Sequence, residues 1–137
     1  MADRDTTQML RDVPLFSDLN DKELEQVAES MKRRQFSAGQ EIAREGESGV
    51  GFFVIEDGEA KVSVHGDEVR RLGPGDYFGE IALIAQSART ATVTADSELR
   101  AYAMTFWDFR PLVEETPGIA WKLLQGAVKQ YDQSQQQ

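Results

Sequence analysis

The stretch "FGEIALIAQSARTATVTA", Phe78 to Ala95, changes its periodicity twice. It follows the glycine-rich turn "GPGDYFGE", passes through "IALIA", which has no alternation and few β-branched residues, and ends in "TATVTA", which alternates. This order predicts a turn, one short helical turn, and then a strand. Within the run stand one carboxylate, Glu80, and one guanidinium, Arg89, and neither has an oppositely charged neighbour at helical or strand spacing.

Working outward, the chain from about Phe36 has period two. Turn signals recur at Ala38-Gly39, Glu45-Gly46, Asp57-Gly58, His65-Gly66-Asp67 and Gly73-Pro74-Gly75-Asp76. Between them lie "FFVIE", "AKVSV" and "EVRRL", and later "LRAYAM". Many short strands at such intervals predict an antiparallel jelly-roll barrel, and Asp57-Gly58 is the clearest candidate for a hairpin turn. The flanks are helical. Asn20 and Glu23 form a capping-box pattern before Leu24, Val27, Ala28 and Met31, and Met9, Leu10 and Val13 fit a short earlier helix. After Met104, Thr105 and Asp108 mark a new helix start and Pro117 another, with Ile119, Leu123 and Ala127 beside Ala120, Leu124 and Val128 as one apolar stripe. The expected fold is therefore mainly β with flanking helices: a helical lead-in over 1–35, a β-roll over 36–104, C-terminal lid helices over 105–132 and a polar, disordered tail over 133–137.

A chain of 137 residues fits one domain. It has no run approaching a membrane span, no basic and apolar leader and no cysteine, which points to a cytoplasmic protein without disulfides. The net charge of −9 opposes binding to nucleic acid or to anionic membranes. Lys32, Arg33 and Arg34 form the only basic cluster and read as the solvated end of a helix. The single histidine, His65, is too little for a metal-dependent barrel enzyme, and no P-loop, EF-hand or nucleophile elbow is present. Asp76 and Glu80 as an acid and base pair is a weaker reading than Asp76 as a turn residue after Gly75. Neither a catalytic residue nor a metal site is expected.

Two readings of Glu80 and Arg89 stay open on spacing alone. They pair with each other or face water, or they meet through a ligand. In the second case the short helical turn offers backbone N–H groups to an anion, Arg89 adds a fork suited to phosphate oxygens, and Glu80 accepts hydrogen bonds from sugar hydroxyls.

The same residues carry a resemblance. "FGEIALIAQSARTATVTA" resembles the phosphate-binding cassette of cyclic nucleotide-binding domains, over 78–91. "LFSDLNDKELEQVAESMKRRQFSAGQEIAREGE" and "GFFVIEDGEAKVSV" are similar to that family's helices, first strands and central strands, so that roughly Leu15 to Leu124 is covered. The resemblance implies a role for Glu80 on the ribose 2′-hydroxyl and for Arg89 on the cyclic phosphate. The backbone amides of Ala82 and Leu83 complete the cradle, and Gly79 allows close approach to the sugar. Ile81, Thr90 and Ala91 belong to the same ligand-binding set. Two departures stand out: Ala88 replaces the proline that many members carry before the arginine, and "GESGVGFF" differs from a loop where members often carry acidic residues after the glycine.

The family reading implies cAMP or cGMP as ligand and no other cofactor. Thr90 fits contact with guanine, binding of cAMP, or a strand start, and the expected preference is cAMP. Val62, Val64 and Leu72 are either a wall for the base or core, and Trp121 or Leu124 either caps the base or is core. The expected function is non-catalytic sensing, in which the ligand repositions the flanking helices. The chain is expected to stand alone and to signal through a protein partner or by self-association of its terminal helices. The alternative is a nucleotide-independent scaffold on the same fold.

Overall fold

The computed structural model describes residues 4–47, 51–83 and 88–135, which fall into two compact units. One unit runs from Lys32 to Phe106 and is built of strands. Its strands are β1 (Lys32–Phe36), β2 (Glu41–Ala43), β3 (Gly51–Asp57), β4 (Ala60–Val64), β5 (Asp67–Leu72), β6 (Tyr77–Phe78), β7 (Thr92–Ala95) and β8 (Leu99–Thr105). They form two four-stranded antiparallel sheets of order β1-β8-β3-β6 and β2-β7-β4-β5. This interleaving is the two-sheet form of a jelly roll, so the expected fold class is present with the barrel left unclosed.

Alternation along the strands explains why the sheets face each other. Phe36, Ile55, Leu99 and Ala101 from one sheet and Ala60, Leu72, Val93 and Ala95 from the other are buried in a common core, with Ile42, Phe53, Val62 and Phe78 partly buried against it. Phe53 stacks on Phe78 at 5.0 Å between ring centroids and meets Phe36 edge-on at 6.1 Å.

Two expectations about the strands need correction. Asp57-Gly58 does not make a hairpin, because β3 pairs with β6 and β8 whereas β4 pairs with β5 and β7; the turn carries the chain from one sheet to the other. A turn signal reports a change of direction and not which strand will pair. The tight hairpin lies instead at His65-Gly66, between β4 and β5, where both residues have positive φ, 53° and 86°. The basic run Lys32–Arg34 begins β1 and does not end a helix. Arg33 lies over the Tyr102 ring and donates to its hydroxyl at 2.7 Å, and the cross-strand environment outweighs helix propensity there.

The other unit combines the described residues before Lys32 and after Phe106. It holds α1 (Arg4–Arg11), a 3-10 turn (Pro14–Phe16), α2 (Asp21–Glu29), α3 (Phe106–Glu115, which the division cuts after its first residue) and α4 (Pro117–Gln135). The last helix runs through Gln135, so residues 133–135 of the segment expected as a disordered tail are helical, and 136–137 lie outside the described residues. Leu10, Val13, Leu15, Phe16, Leu24 and Val27 are buried, and Phe16 meets Phe109 edge-on at 6.5 Å. The predicted stripe of α4 divides. Ile119 and Leu123 are buried, and Gly126 packs so closely that an added Cβ would lie 2.4 Å from the Leu15 carbonyl oxygen, while Leu124 and Val128 are exposed. No described helix is long and apolar enough to cross a membrane.

The capping box is formed as expected. The Glu23 amide donates to Asn20 and the Asn20 amide donates to Glu23, each at 2.9 Å, and Lys122 Nζ reaches the same Glu23 carboxylate at 2.7 Å. The Asn20 amide and then Lys122 hold the Glu23 carboxyl below its usual range. A depressed carboxyl contributes stability that is complete above its unfolded value and is lost as the pH falls through its folded value. Glu23→Gln is expected to lower stability by about 1 kcal/mol at neutral pH. The difference from wild type should shrink toward zero in acid, as followed by chemical denaturation across pH.

Candidate functional site

The site is built on the turn that follows β6. Gly79 has φ of 86°, a left-handed conformation open to glycine at little cost, and this turns the chain directly into a 3-10 helix, Glu80–Leu83. The short helical turn expected from "IALIA" is therefore present. The Ala82 amide donates to the Gly79 carbonyl at 3.0 Å, which closes the turn. The Ala82 donor is thus taken within the turn, as the early amides of a one-turn helix find local acceptors. Ala82 and Leu83 are buried, so their side chains serve the interior. The side chains of Glu80 and Ile81, on which part of the predicted site rests, lie outside the described set.

Arg89 arrives from the far side of the cassette and is fixed through its backbone. Its amide donates to the Glu47 carbonyl at 2.8 Å and its carbonyl accepts from Gly46 at 2.9 Å, so that the turn at Gly46-Glu47 straps it down. Its guanidinium donates to the Gly51 carbonyl, 38 residues away, at 2.5 Å. The half-buried side chain passes directly beneath Gly79: a Cβ added there would lie 2.5 Å from one Arg89 nitrogen and 2.4 Å from the Gly51 oxygen. Gly79, Gly51 and Arg89 thus form one tight junction. Thr90 is exposed and stands in a bend before β7, and Ala91 is half-buried next to it.

Two cavities open on this junction. One, of about 610 Å³, is lined by β5 and β6 residues and by Gly79, and the other, of about 330 Å³, by Arg34, Arg44, Phe53 and Arg89 among others. Both volumes suit small organic ligands. Arg44 in the second is engaged by Glu41 at 2.5 Å and by Glu47 at 3.4 Å, with Glu41 the main cause of a guanidinium pKa raised above its usual value. The positive side chain set deepest at the junction is therefore Arg89, half-buried, whereas Arg34 and Arg70 are exposed. Of the predicted base wall, Leu72 is buried in the core and Val62 packs against it, while Val64 is half-buried. Trp121 and Leu124, expected as core or cap, are exposed at 63% and 56%.

Sequence reasoning missed the Gly51 carbonyl and the Gly46-Glu47 strap. Glycine and turn signals marked both places, but nothing local says that they close on Arg89.

The chain matches the cyclic nucleotide-binding domain over residues 33–116. It is 38% identical to a cAMP-dependent protein kinase regulatory subunit of Mycosarcoma maydis, over 82% of this chain and 23% of that one. It is also 38% identical to a cGMP-dependent protein kinase of Toxoplasma gondii, over 65% of this chain and 9% of that one. The chain thus spans less than a quarter of the length of these two relatives. Among solved structures, the N-terminal domain of a transcriptional regulator from Streptomyces coelicolor A3(2) superposes with a TM-score of 0.84 at 27% identity, covering 92% of this chain and 94% of that one. A cyclic nucleotide-binding-like protein from Brucella abortus gives 0.74 at 32% identity, over 80% and 98%. With its two-sheet jelly roll, its glycine-hinged turn and the arginine beneath it, this chain belongs to the cyclic nucleotide-binding domain family.

Proposed function

We propose that the chain is a non-catalytic, cytoplasmic sensor that binds a cyclic mononucleotide at the Gly79–Arg89 junction. The observation that carries this is the placement of Arg89: a half-buried guanidinium packed against Gly79 and the Gly51 carbonyl, beside cavities of ligand size. One guanidinium balances the single charge of a cyclic phosphodiester, whereas a 5′-monophosphate brings a second charge toward Glu80. Glu80 takes the ribose hydroxyl. Leu83 and, after exchanging its bond to Gly79, Ala82 supply amides to the phosphate. Ile81, Thr90 and Ala91 line the remainder. No cofactor beyond the nucleotide is invoked. Adenine is the first base proposed, since the regulatory subunit of Mycosarcoma maydis is by name cAMP-dependent, and the Toxoplasma kinase keeps guanine as the second.

The signal passes to the helical unit and from there to a protein partner or a second copy. Trp121, Leu124 and Val128, exposed on α4 at i, i+3 and i+7, support that readout. The same exposed residues are the observation that favours the scaffold reading, which differs in requiring no nucleotide.

The test is calorimetric titration of the purified chain with cAMP, cGMP and 5′-AMP, after a denaturing wash and refolding. Saturable binding of a cyclic nucleotide, weak binding of 5′-AMP and a thermal shift are expected. Ligand at about 100 times its Kd stabilises by roughly 2.7 kcal/mol. A folded chain that binds neither cyclic nucleotide overturns the sensor reading in favour of the scaffold.

A further inference from the structure

The turn that straps Arg89 is itself gripped from outside the cassette. It closes through the Glu47 amide, which donates to the Arg44 carbonyl at 3.1 Å, and Gly46 supplies a left-handed φ of 86°. The residues after Arg44 then reach different segments. The Glu45 amide donates to Thr92 Oγ1 on β7 at 3.0 Å, while Gly46 and Glu47 bond the backbone of Arg89. The half-buried Glu45 side chain goes to the tip of the β4–β5 hairpin. One carboxylate oxygen accepts from the His65 amide at 2.9 Å, and the other lies 3.2 Å from His65 Nδ1.

That hairpin tip stands beyond the sheet. Ser63, opposite Thr92, is the last β4 residue in register with β7, and residues 65–70 are exposed. The register against β5 also shifts just before the tip, between Val62 and Ser63, which weakens the ladder there. Glu45 therefore couples the tip to the strap, one peptide bond away from the residue that holds the Arg89 carbonyl.

We infer that Glu45 and His65 are positioning residues for Arg89, and that their contact makes nucleotide affinity depend on protons. The inference rests on the sensor reading above and adds a control to the same site. Histidine changes charge between pH 5 and 8, a range in which carboxylates ordinarily stay ionised. A protonated imidazole adds a charge-assisted contact to Glu45, whereas the neutral ring leaves the amide bond to hold alone. The protonated form grips the strap more firmly, so affinity falls as pH rises. Other charged groups near the contact have their own partners or lie elsewhere: Arg44 pairs with Glu41 and Glu47, Glu68 pairs with Arg71, and the Arg89 guanidinium turns to the Gly51 carbonyl. Asp67 follows His65 on the hairpin, exposed, and Thr92 on β7 is neutral. His65 is the single histidine of the chain, which makes the source of such a profile identifiable.

The test titrates the full chain with cAMP and with cGMP from pH 5.5 to 7.5 at low, constant ionic strength, with chemical denaturation to show that every variant is folded. Wild type is expected to lose about two- to fivefold in affinity across this range, the scale of an exposed ion pair. His65→Asn, which suits the positive φ of 53°, should bind at the weaker level throughout, and His65→Lys, which keeps the charge, at the tighter level. Glu45→Gln keeps an acceptor for the amide and should also give a flat, weaker profile. Combining Glu45→Gln with His65→Asn should cost no more than the larger single loss. A flat wild-type profile, the same profile in His65→Asn, a lysine variant no tighter than the asparagine one, or additive losses in the double variant overturns the inference and leaves the sensor reading intact. Failure of wild type to bind either cyclic nucleotide removes the sensor reading and this inference together.

Discussion

Arg89→Ala is expected to weaken cyclic nucleotide binding by at least about a hundredfold while the strands stay assembled. The guanidinium is positioned for two tasks. It donates to the Gly51 carbonyl across the junction, and it lines the cavity of about 330 Å³ beside the cassette, where the phosphate is proposed to bind. Charge-assisted hydrogen bonds are worth about 1.5–3 kcal/mol each, and loss of a pair to one phosphate corresponds to roughly 3 kcal/mol or more, which is the hundredfold. The fold depends much less on this side chain, because the bonds that strap residue 89 to Gly46 and Glu47 are made by its backbone and survive truncation. Arg89→Lys should fall between, since it keeps the charge and loses the planar fork. Titration gives the affinity and chemical denaturation the stability. Unchanged affinity in a folded Arg89→Ala protein would sink the assignment of Arg89 to the phosphate.

Gly79→Ala should damage both quantities at once. A non-glycine residue at φ of 86° costs about 1–2 kcal/mol. The new methyl group would also lie 2.4 Å from the Gly51 oxygen and 2.5 Å from Arg89 Nη1. The arginine end is flexible and can move aside, whereas the Gly51 oxygen belongs to the backbone of β3 and can yield only if the strand shifts. A total destabilisation of about 2–4 kcal/mol follows, with nucleotide affinity falling along with it because the displaced guanidinium is the one proposed to meet the phosphate. The two variants thus separate the roles: Arg89→Ala lowers affinity at nearly constant stability, and Gly79→Ala lowers both. An alanine variant that melts and binds like wild type would show that the junction relaxes freely and that the glycine is incidental.

Much of this site was legible in linear form because its parts lie within one short segment. The glycine-rich turn, the run without alternation and the isolated Arg89 each carry a local signature, and those signatures placed the 3-10 turn correctly. What escaped notice involves partners far along the chain: the Gly51 carbonyl, the strap from Gly46 and Glu47, and the face on which Arg70 lies. A backbone carbonyl has no side-chain identity to read, and the side of a strand on which a residue falls depends on register. In β5 the register shifts between Val62 and Ser63 of its partner strand, so counting alternate residues from the hairpin assigns Arg70 to the wrong face.

Local chemistry was enough for the capping box at Asn20, the helix start at Pro117, the strand-rich centre and the glycine hinge, since each depends on residues a few positions apart. Tertiary assembly was needed to turn Asp57-Gly58 into a crossing between sheets, to make a strand of Lys32–Phe36, and to divide the apolar residues of α4 into a buried row and an exposed one. The reason is the same in each case. A turn or a cap is stabilised by hydrogen bonds within itself, whereas pairing and burial are settled by which distant segment supplies the other half of the contact.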